Sequence, residues 1–364
     1  MGVKKPSLSI IIPVWNTGKV AVRIVGRILK QKFDDFELIL VNDGSTDDSL
    51  KYLRQFEKQD KRVMVVNRKN NSGGPSGARN TGLKHACGKY LMLLDSDDDI
   101  EPDMISKMTK KMICEKLDLV TCGIKYITIK NGRQSSVVNI GVSPIPAQSK
   151  DEDFATYIVR LLGIDGRLYN PCNKIFRTSL IKKHGLSFDA NLDFGEDLTF
   201  NLQYLRFVDN MGFINEPLYH YYLDITTGRF GRSSLVYSNR LKNFDSLLDF
   251  VGAQKSDQLN DLLGWIKYFW FYSFALAVDS ANLKRKEKIT LLRCAIRTEH
   301  LVPAQNAKNI GKNKYLIEKV LTFVAKTPGG LLNLVRMSGF MKNGRLSAKA
   351  WRKLMSTMMG KNSS

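Results

Sequence analysis

Short apolar runs alternate with amphipathic segments through the first 125 residues of the chain. The apolar runs end at polar or glycine-containing stretches, which is typical of buried strands, and the segments between them carry apolar residues three or four apart, which is typical of helices. Because strand and helix alternate, we expect an α/β fold with a mostly parallel sheet and right-handed crossovers. The predicted strands are 7–15, 36–42, 62–67, 89–95 and 118–127, and the predicted helices are 17–31, one capped by Ser45 or Thr46, one that follows the turn in 72–86, and 102–116.

The pattern changes after residue 125 and again near residue 235. From about 235 the chain is predicted to be helical, and its longest apolar stretch, 268–278, has 11 residues. A membrane-spanning helix needs about 20, so we interpret this stretch as the core of a helical domain or as an interfacial helix. Between the two changes we predict a hairpin around Asn131-Gly132, helices at 151–162 and 195–208, a short strand and helix in 173–181, and one or two strands in 211–223.

Charge is concentrated at the end of the chain. The net charge is +21, and residues 281–364 hold 18 Lys and Arg against 3 Asp and Glu, which is +15 of that total. This region is expected to favour an anionic partner: nucleic acid, an acidic membrane face or a polyanionic substrate.

The five cysteines form no CxxC pair and have no histidine at ligand spacing, which predicts a reduced protein without structural zinc. The first apolar run lacks the length and cleavage site of a signal peptide. We therefore expect a cytoplasmic location.

An acidic cluster follows the fourth predicted strand. Asp95 and Asp97 are two residues apart, so in extended geometry they point to the same side. Two such carboxylates suit a hard divalent cation that keeps several waters and also binds a phosphate. For Asp98 and Asp99 we favour a structural role, with Asp99 as a helix N-cap before Pro102.

Polar residues also follow the first two predicted strands, at Asn16 and Asp43. In parallel sheets ligands bind beyond the carboxyl ends of the strands. The glycine-rich segment 71–82 would allow a ligand to approach the backbone and the following helix start, with Arg79 as a fixed positive charge. It matches neither the P-loop nor the dinucleotide fingerprint, and a turn that only packs is the alternative.

Four motifs occur in order: SIIIPVWN, LVNDGSTDDS, GGPSGARNTGL and YLMLLDSDDDIEPDM. Together they resemble the family 2 glycosyltransferases of GT-A fold. The resemblance is close over the first 125 residues and looser to about 225, through NKIFRTSLI and FGEDLTFNLQYL. It implies a GT-A domain over 1–230, with a nucleotide-sugar-binding part (1–125) and an acceptor part (126–230), followed by a basic helical region (231–364).

The resemblance also implies a set of donor-binding residues. Asp43 would hydrogen-bond the base, most often uracil, Asp95 would lie at the ribose, and Asp97 would bind Mg²⁺ or Mn²⁺. Lys174 resembles a basic family residue near the diphosphate or the base, although a solvated charge is the alternative. The full nucleotide-sugar-binding set is Pro13, Asn16, Asp43, Gly74, Arg79, Asp95, Ser96 and Lys174.

The catalytic base is implied by the motif FGEDLTF. Asp197 matches the usual base, and the adjacent Glu196 is expected to point elsewhere and cap or pair; the alternative is that both acids only cap a helix. His220 is a candidate metal ligand beside Asp95 and Asp97, although we favour a structural histidine in an aromatic strand. Arg229 or Arg232 could contact phosphate.

These implications describe a metal-dependent, inverting transfer of a sugar from a nucleotide-diphosphate donor to a hydroxyl acceptor, with UDP as the expected nucleotide. Such enzymes build capsule, exopolysaccharide, lipid-linked glycans or teichoic acids. The basic tail leaves three roles open: peripheral contact with an anionic membrane at the inner face of the plasma membrane, binding of a lipid-linked or polyanionic glycan acceptor, or a homo-oligomer interface.

Three rival functions are less well supported by the residues. A nucleotidyltransferase would need a glycine-rich basic loop after the first strand, where only Gly18-Lys19 stands. A non-enzymatic nucleic-acid-binding protein would need a reading module, and none is visible, so no nucleic acid partner is expected. An inactive scaffold is disfavoured because Asp95, Asp97 and Asp197 are all present.

Overall fold

The computed structural model describes residues 5–69, 74–145, 147–148, 152–164, 166–192, 195–224 and 237–252, and single positions at 259, 260, 263, 266 and 287. The chain divides into two compact units, Met1–Arg229 with Asn239–Leu262, and Phe230–Ser238 with Leu263–Ser364. Nearly all described residues lie in the first unit. Of the predicted basic helical region, 231–364, the structure describes residues 237–252 and the five single positions, and Arg229 and Arg232 lie outside the described residues. Within the described part of the chain, no helix has the length and apolar character needed to cross a bilayer.

The described residues form one nine-stranded sheet in the order β3-β2-β1-β4-β8-β6-β9-β5, with β7 paired to β6. Its strands are β1 (Leu8–Val14), β2 (Phe36–Asp43), β3 (Val63–Arg68), β4 (Tyr90–Leu93), β5 (Asp99–Ile100), β6 (Leu119–Lys130), β7 (Arg133–Ile140), β8 (Lys174–Arg177) and β9 (Met211–Asp224). The flanking helices are α1 (Val20–Leu29), α2 (Ser49–Gln59), α3 (Pro75–His85), α4 (Met104–Cys114), α5 (Phe154–Ile164), α6 (Thr178–Lys183), α7 (Glu196–Leu205) and α8 (Tyr237–Val251), with a 3-10 turn at Gly166–Leu168.

The sheet is parallel only in part. Strands β1 to β4 are parallel to one another, as predicted, whereas β8 is antiparallel to both β4 and β6. The expectation of a mostly parallel sheet is therefore correct for the first half and wrong for the second. All residues of β1 and β4 are buried, because both strands lie inside the sheet with apolar side chains on both faces.

Two predicted helix caps are wrong. Helix α2 begins at Ser49, because Ser45 and Thr46 instead contact the loop after β1. The Asn16 backbone N–H donates to the Ser45 hydroxyl at 3.1 Å, and the Thr46 backbone N–H donates to the Asn16 side-chain oxygen at 2.8 Å. Asp99 does not cap α4. It forms the short strand β5 opposite His220 of β9, and its carboxylate is paired with the Arg27 side chain at 3.2 Å.

The predicted hairpin is confirmed as β6 and β7. Asn131 and Gly132 both have positive φ, as tight hairpin turns require. The segment 211–223 forms the single strand β9, which pairs in parallel with β6 and antiparallel with β5. Through β5, strand β9 is attached to the acidic stretch that follows β4.

Candidate active site

The polar residues after β1 and β2 meet at one edge of the sheet. Asn16 adopts a φ of 48°, a left-handed conformation that asparagine tolerates better than most residues. Its two contacts with Ser45 and Thr46 join the loop after β1 to the loop after β2. Pro13 lies in β1 opposite Val41 of β2 and is buried, and its contact with a nucleotide stays a prediction.

Asp43 ends β2 as a buried carboxylate. An Arg68 side-chain nitrogen lies 2.7 Å from one of its oxygens, and the two residues are opposite each other in the β2–β3 register. The neighbouring Asn42 amide donates to the Asn67 side-chain oxygen at 2.7 Å. Sequence reasoning missed Arg68; the signal that could have found it is a basic residue at the end of a third parallel strand.

Arg79 is the centre of the site. Its side chain is 2% exposed, and its guanidinium donates to Asp95 at 2.8 Å through Nη2 and to Asp197 at 2.6 Å through Nη1. The Glu196 carboxylate lies 3.7 Å from Nη1, and the guanidinium carbon lies 5.1 Å from the ring centre of Phe188. The structure therefore brings together residues from α3, the acidic loop and α7, which sequence reasoning had treated as separate.

Glu196 and Asp197 do not point apart, because both carboxylates lie within 4 Å of Nη1 of Arg79; the pairing expected for Glu196 is formed with this guanidinium. The two acids begin α7, directly after Gly195 with its φ of 86°. Burial and the charge of Asp197 raise the pKa of Glu196 to about 8. Burial also raises the pKa of Asp197, and the positive charge of Arg79 opposes that rise. With Asp95 the cluster would hold three carboxylates and one guanidinium, so full ionisation leaves an excess of negative charge that a cation or a proton can offset.

The loop 94–98, which carries the metal-binding candidates, is held from two sides. On one side, the Tyr219 hydroxyl and the Tyr222 backbone N–H donate to the buried Asp98 carboxylate, the latter at 2.9 Å. On the other side, the Arg23 side chain donates to the Asp97 carbonyl oxygen at 2.8 Å. Burial and the neighbouring acids raise the pKa of Asp98 well above its ordinary value. The structural role favoured for Asp98 agrees with these contacts.

Asp95 and Asp97 are partly exposed, and Ser96 between them is buried. No cluster of three or more His, Cys, Asp and Glu with metal-binding geometry occurs among the described residues. The donor set nevertheless fits Mg²⁺ or Mn²⁺, because these ions commonly take only one or two protein carboxylates and complete their shell with substrate phosphates and water. Asp95 and Asp97 supply such oxygens at the same edge of the sheet.

His220 lies on β9 in a network with Glu101 and Lys125. Its Nε2 donates to a Glu101 oxygen at 2.8 Å, and the same oxygen accepts a hydrogen bond from the Lys125 ammonium at 3.2 Å. Burial and the charge of Lys125 lower the pKa of His220. These contacts favour the structural role, since a metal would have to use Nδ1; a metal role for His220 stays a prediction.

Lys174 is fully buried at the start of β8. Its ammonium donates to the carbonyl oxygens of Arg167, at 2.6 Å, and Asn170, and to the Asn173 side-chain oxygen at 2.8 Å. Three acceptors match the three N–H donors of a lysine, so the structure favours a role in holding the loop 167–173. Gly74 directly precedes α3 in extended conformation, and its contact with a nucleotide stays a prediction.

Comparison with known proteins identifies the family. The family described as Glycosyl transferase family 2 matches residues 9–185. EpsJ of Bacillus subtilis, named as a glycosyltransferase, is 30% identical over 224 residues, which are 59% of this chain and 61% of EpsJ. EpsH of the same organism, also named as a glycosyltransferase, is 30% identical over 246 residues, 67% of each chain. The poly(ribitol-phosphate) beta-glucosyltransferase of Bacillus spizizenii is 28% identical over 70% of this chain and 38% of its own length.

Solved structures show the same fold. TarS 1-349 of Staphylococcus aureus in complex with UDP has a TM-score of 0.50 at 20% identity, over 89% of this chain and 80% of that chain. The mannosyltransferase PcManGT of Pyrobaculum calidifontis, in complex with GDP-Man and Mn²⁺, has a TM-score of 0.51 at 12% identity, over 93% and 85%. The mixed sheet with flanking helices thus agrees with the GT-A fold that the motifs imply. Since EpsH matches over two thirds of both chains and the family match runs from β1 through β8, this chain belongs to glycosyltransferase family 2.

Proposed function

We propose that the protein transfers a sugar from a nucleotide-diphosphate sugar, UDP-linked, to a hydroxyl group of a cell-surface glycan acceptor, with inversion and with the help of a divalent cation. The observation that carries the proposal is the buried Arg79 side chain, which contacts both Asp95 and Asp197. A donor-side acid and an acid from the second half of the domain are thereby held at one site.

The nucleotide half of the proposed site is built on β1, β2 and α3. Asp43, fixed by Arg68, would accept a hydrogen bond from the base, and Asn16 and Gly74 would line the nucleotide. Asp97 and Asp95 would hold Mg²⁺ or Mn²⁺. Such a cation acts as a Lewis acid that stabilises the charge of the departing diphosphate.

Asp197 is the proposed base. The acceptor hydroxyl loses its proton to the Asp197 carboxylate, its oxygen bonds to the anomeric carbon, and the bond from that carbon to the diphosphate breaks. Attack from the face opposite the leaving group inverts the configuration. The Asp197 side chain keeps 31% of its accessible surface, so its carboxylate is open to a substrate while Arg79 holds its position.

Donor and acceptor are inferred from relatives. TarS, which has this fold, binds UDP, whereas PcManGT binds GDP-Man and Mn²⁺, so UDP is the first donor nucleotide to test and GDP the second. One relative acts, by its name, on poly(ribitol-phosphate). A polyanionic acceptor would suit the net charge of +21.

The remaining parts of the proposal concern the whole chain. We infer a catalytic domain to about residue 230 and a basic helical region beyond it, in a protein of the cytoplasmic face. The +15 charge of residues 281–364 would bring that region to anionic lipid headgroups or to an anionic acceptor. The third proposed role of this region is a homo-oligomer interface.

A donor screen tests the function. Purified protein is incubated with UDP-, GDP- and dTDP-sugars, with and without Mn²⁺, and release of the nucleoside diphosphate is measured. We expect metal-dependent release from one donor class and its loss in Asp97→Asn, whereas Asp197→Asn should retain UDP binding but lose turnover. Asp103→Asn is the matched control, because this acid is 46% exposed and pairs with Lys107 on α4.

If no donor releases a nucleoside diphosphate, and calorimetry then detects no binding of UDP or GDP with Mn²⁺, the proposal is overturned. Release that continues unchanged in Asp97→Asn would remove this residue from the cation site.

A further inference from the structure

A buried phenylalanine lies against the Arg79 side chain. Phe188 comes from the segment between α6 and α7 and is 2% exposed. The guanidinium carbon of Arg79 lies 5.1 Å from the centre of its ring, within the distance at which a cation is attracted to an aromatic face. The donor site and the proton transfer proposed above do not use Phe188.

Helix α3 holds the backbone of Phe188. The Asn80 side-chain amide donates to the Phe188 carbonyl oxygen at 2.8 Å, and the Phe188 backbone N–H donates to the Asn80 side-chain oxygen at 2.8 Å. One side chain thus pairs with both backbone groups of a single residue, as the opposite residue of a neighbouring antiparallel strand can do. Since Asn80 directly follows Arg79, the helix that carries the guanidinium also fixes the ring that this guanidinium contacts.

The same ring packs against the helix that carries the proposed base. Phe188 and Phe200 are stacked, with ring centres 4.1 Å apart and planes 9° from parallel. Phe200 lies on α7, three residues after Asp197, and residues at this spacing are neighbours on the surface of a helix. Phe200 in turn contacts Phe176 of β8, with 5.7 Å between the ring centres. The Phe188 ring therefore connects α3 to α7 and, through Phe200, to the sheet.

Hydrogen bonds hold the guanidinium at only two of its three nitrogens. Nη1 donates to Asp197 and Nη2 to Asp95, whereas Nε is buried and has no hydrogen-bond partner among the described residues. Two such contacts leave the guanidinium plane able to tilt about the line that joins the two nitrogens. Contact with a flat, buried ring limits that tilt.

We infer that Phe188 is a positioning residue for the proposed reaction: its ring fixes the orientation of the Arg79 guanidinium. Through this guanidinium it sets the spacing of Asp95 and Asp197. The inference rests on the proposed function and deepens it. Asp95 is assigned to the cation and Asp197 to the acceptor hydroxyl, so the space between them must admit the reacting carbon and its leaving group.

Turnover separates positioning from binding. Release of nucleoside diphosphate by the full chain, with water in place of the acceptor, is measured at increasing concentrations of UDP-glucose, UDP-N-acetylglucosamine and GDP-mannose with Mn²⁺. We expect Phe188→Leu to lower kcat about tenfold and to change KM by less than about twofold, since a small misplacement of reacting groups slows chemistry strongly. Asn80→Ala removes both hydrogen bonds to Phe188 and should also lower kcat with little change in KM.

Each variant has a matched control. Phe176→Leu also removes a fully buried ring, but Phe176 joins the aromatic cluster through Phe200. Thr81→Ala removes a side-chain hydrogen bond of α3 whose acceptor is the Gly77 carbonyl oxygen of the same helix. Both controls should keep kcat within about twofold of the parent. If Phe188→Leu does not fold, the comparison of Asn80→Ala with Thr81→Ala decides.

A double-mutant cycle tests the contact without any activity. Urea unfolding of Phe188→Leu, Arg79→Met and the double variant should show a coupling of about fivefold in the equilibrium constant of unfolding, the size of a buried cation–π contact. The cycle of Phe176→Leu with Arg79→Met should show a coupling below about twofold.

Equal coupling in the two cycles, or an equal loss of kcat in Phe188→Leu and Phe176→Leu, would overturn the inference, because the ring would then act only through packing. A rise in KM at unchanged kcat would overturn it as well. If the parent releases no nucleoside diphosphate but the coupling between Phe188 and Arg79 is found, the proposed reaction fails, whereas the placement of the guanidinium by Phe188 stands.

Discussion

Replacement of Arg79 by methionine is expected to destabilise the domain, and more strongly at high pH than at low pH. The substitution removes a guanidinium that is 2% exposed and lies 2.8 Å from Asp95 and 2.6 Å from Asp197. Loss of one partner from a buried ion pair costs about 3–5 kcal/mol, because the other charge remains unpaired. The acids keep 24% and 31% exposure, which places the expected loss at the lower end, about 3 kcal/mol or roughly 6–12 °C in Tm.

The pH dependence follows from proton binding. Burial raises the native pKa values of Glu196 and Asp197, and the charge of Arg79 opposes that rise, so without Arg79 these two pKa values rise further above their unfolded values. The native state then holds more protons than the unfolded state at neutral pH, so stability falls as pH rises. At pH 5.5 the acids can take up protons at little cost, and the loss should shrink to roughly half of its value at pH 8.

The assay is urea unfolding of parent and variant at pH 5.5 and 8. Arg62→Met is the matched control, because Arg62 also faces two acids, Asp60 at 2.7 Å and the 91% exposed Asp34 at 2.9 Å, but near the surface. Such pairs contribute about 0–1 kcal/mol, and no pH effect is expected between 5.5 and 8. An Arg79 loss that is equal at both pH values, or as small as that of the control, would refute the reasoning.

Three other predictions follow from single contacts. Glu196→Gln should gain stability relative to the parent as pH rises from 5.5 to 9, because the native pKa of Glu196 is about 8 and its unfolded pKa about 4.3, so only the parent loses stability on deprotonation of this group. Urea midpoints of parent and variant that change in parallel with pH would contradict this. Arg23→Ala should raise the Mn²⁺ concentration for half-maximal UDP release about tenfold, since Arg23 donates to the Asp97 carbonyl oxygen at 2.8 Å and residues that support metal ligands have effects of this size. An unchanged Mn²⁺ titration would exclude this supporting role of Arg23. Gly82→Ala should lower the free energy of unfolding by about 1–3 kcal/mol, because the added Cβ would lie 2.3 Å from Ile11 Cγ2. In thermal unfolding, the double variant with Ile11→Ala should lose less stability than the sum of the two single variants.

The first half of the fold was predictable because its signal is local. Strands β1, β2 and β4 are apolar runs buried on both faces, β3 is buried on one face, and the observed bounds of all four differ from the predicted ones by two residues or fewer. Strand β5 was missed for the opposite reason. Asp99 and Ile100 follow a run of acids that resembles a helix start, and they form a strand only because β9, more than 110 residues later, supplies the partner.

The candidate site was predictable as a set of strand ends but not as a network. Asp43 and Asp95 follow apolar runs, so the sequence indicates their edge of the sheet. The contact between Arg79 and Asp197 joins positions 118 apart, and no periodicity connects them. The burial of Lys174 was equally unpredictable from the sequence. A lysine at the start of a strand gives the same pattern of polar and apolar residues whether its ammonium is solvated or bonded to three acceptors of a loop.

Strand β8 determines where the protein can be divided. The change of pattern near residue 125 suggests a cut between a donor-binding fragment and an acceptor-binding fragment. Residues 174–177, however, lie between β4 and β6 and hydrogen-bond to both. A fragment that ends at 125 would expose the edge of β4, whose four side chains are all buried, and an open apolar edge recruits other chains. Chimeras that exchange acceptor specificity within this family should therefore keep β8 with the donor half and place their junctions after it.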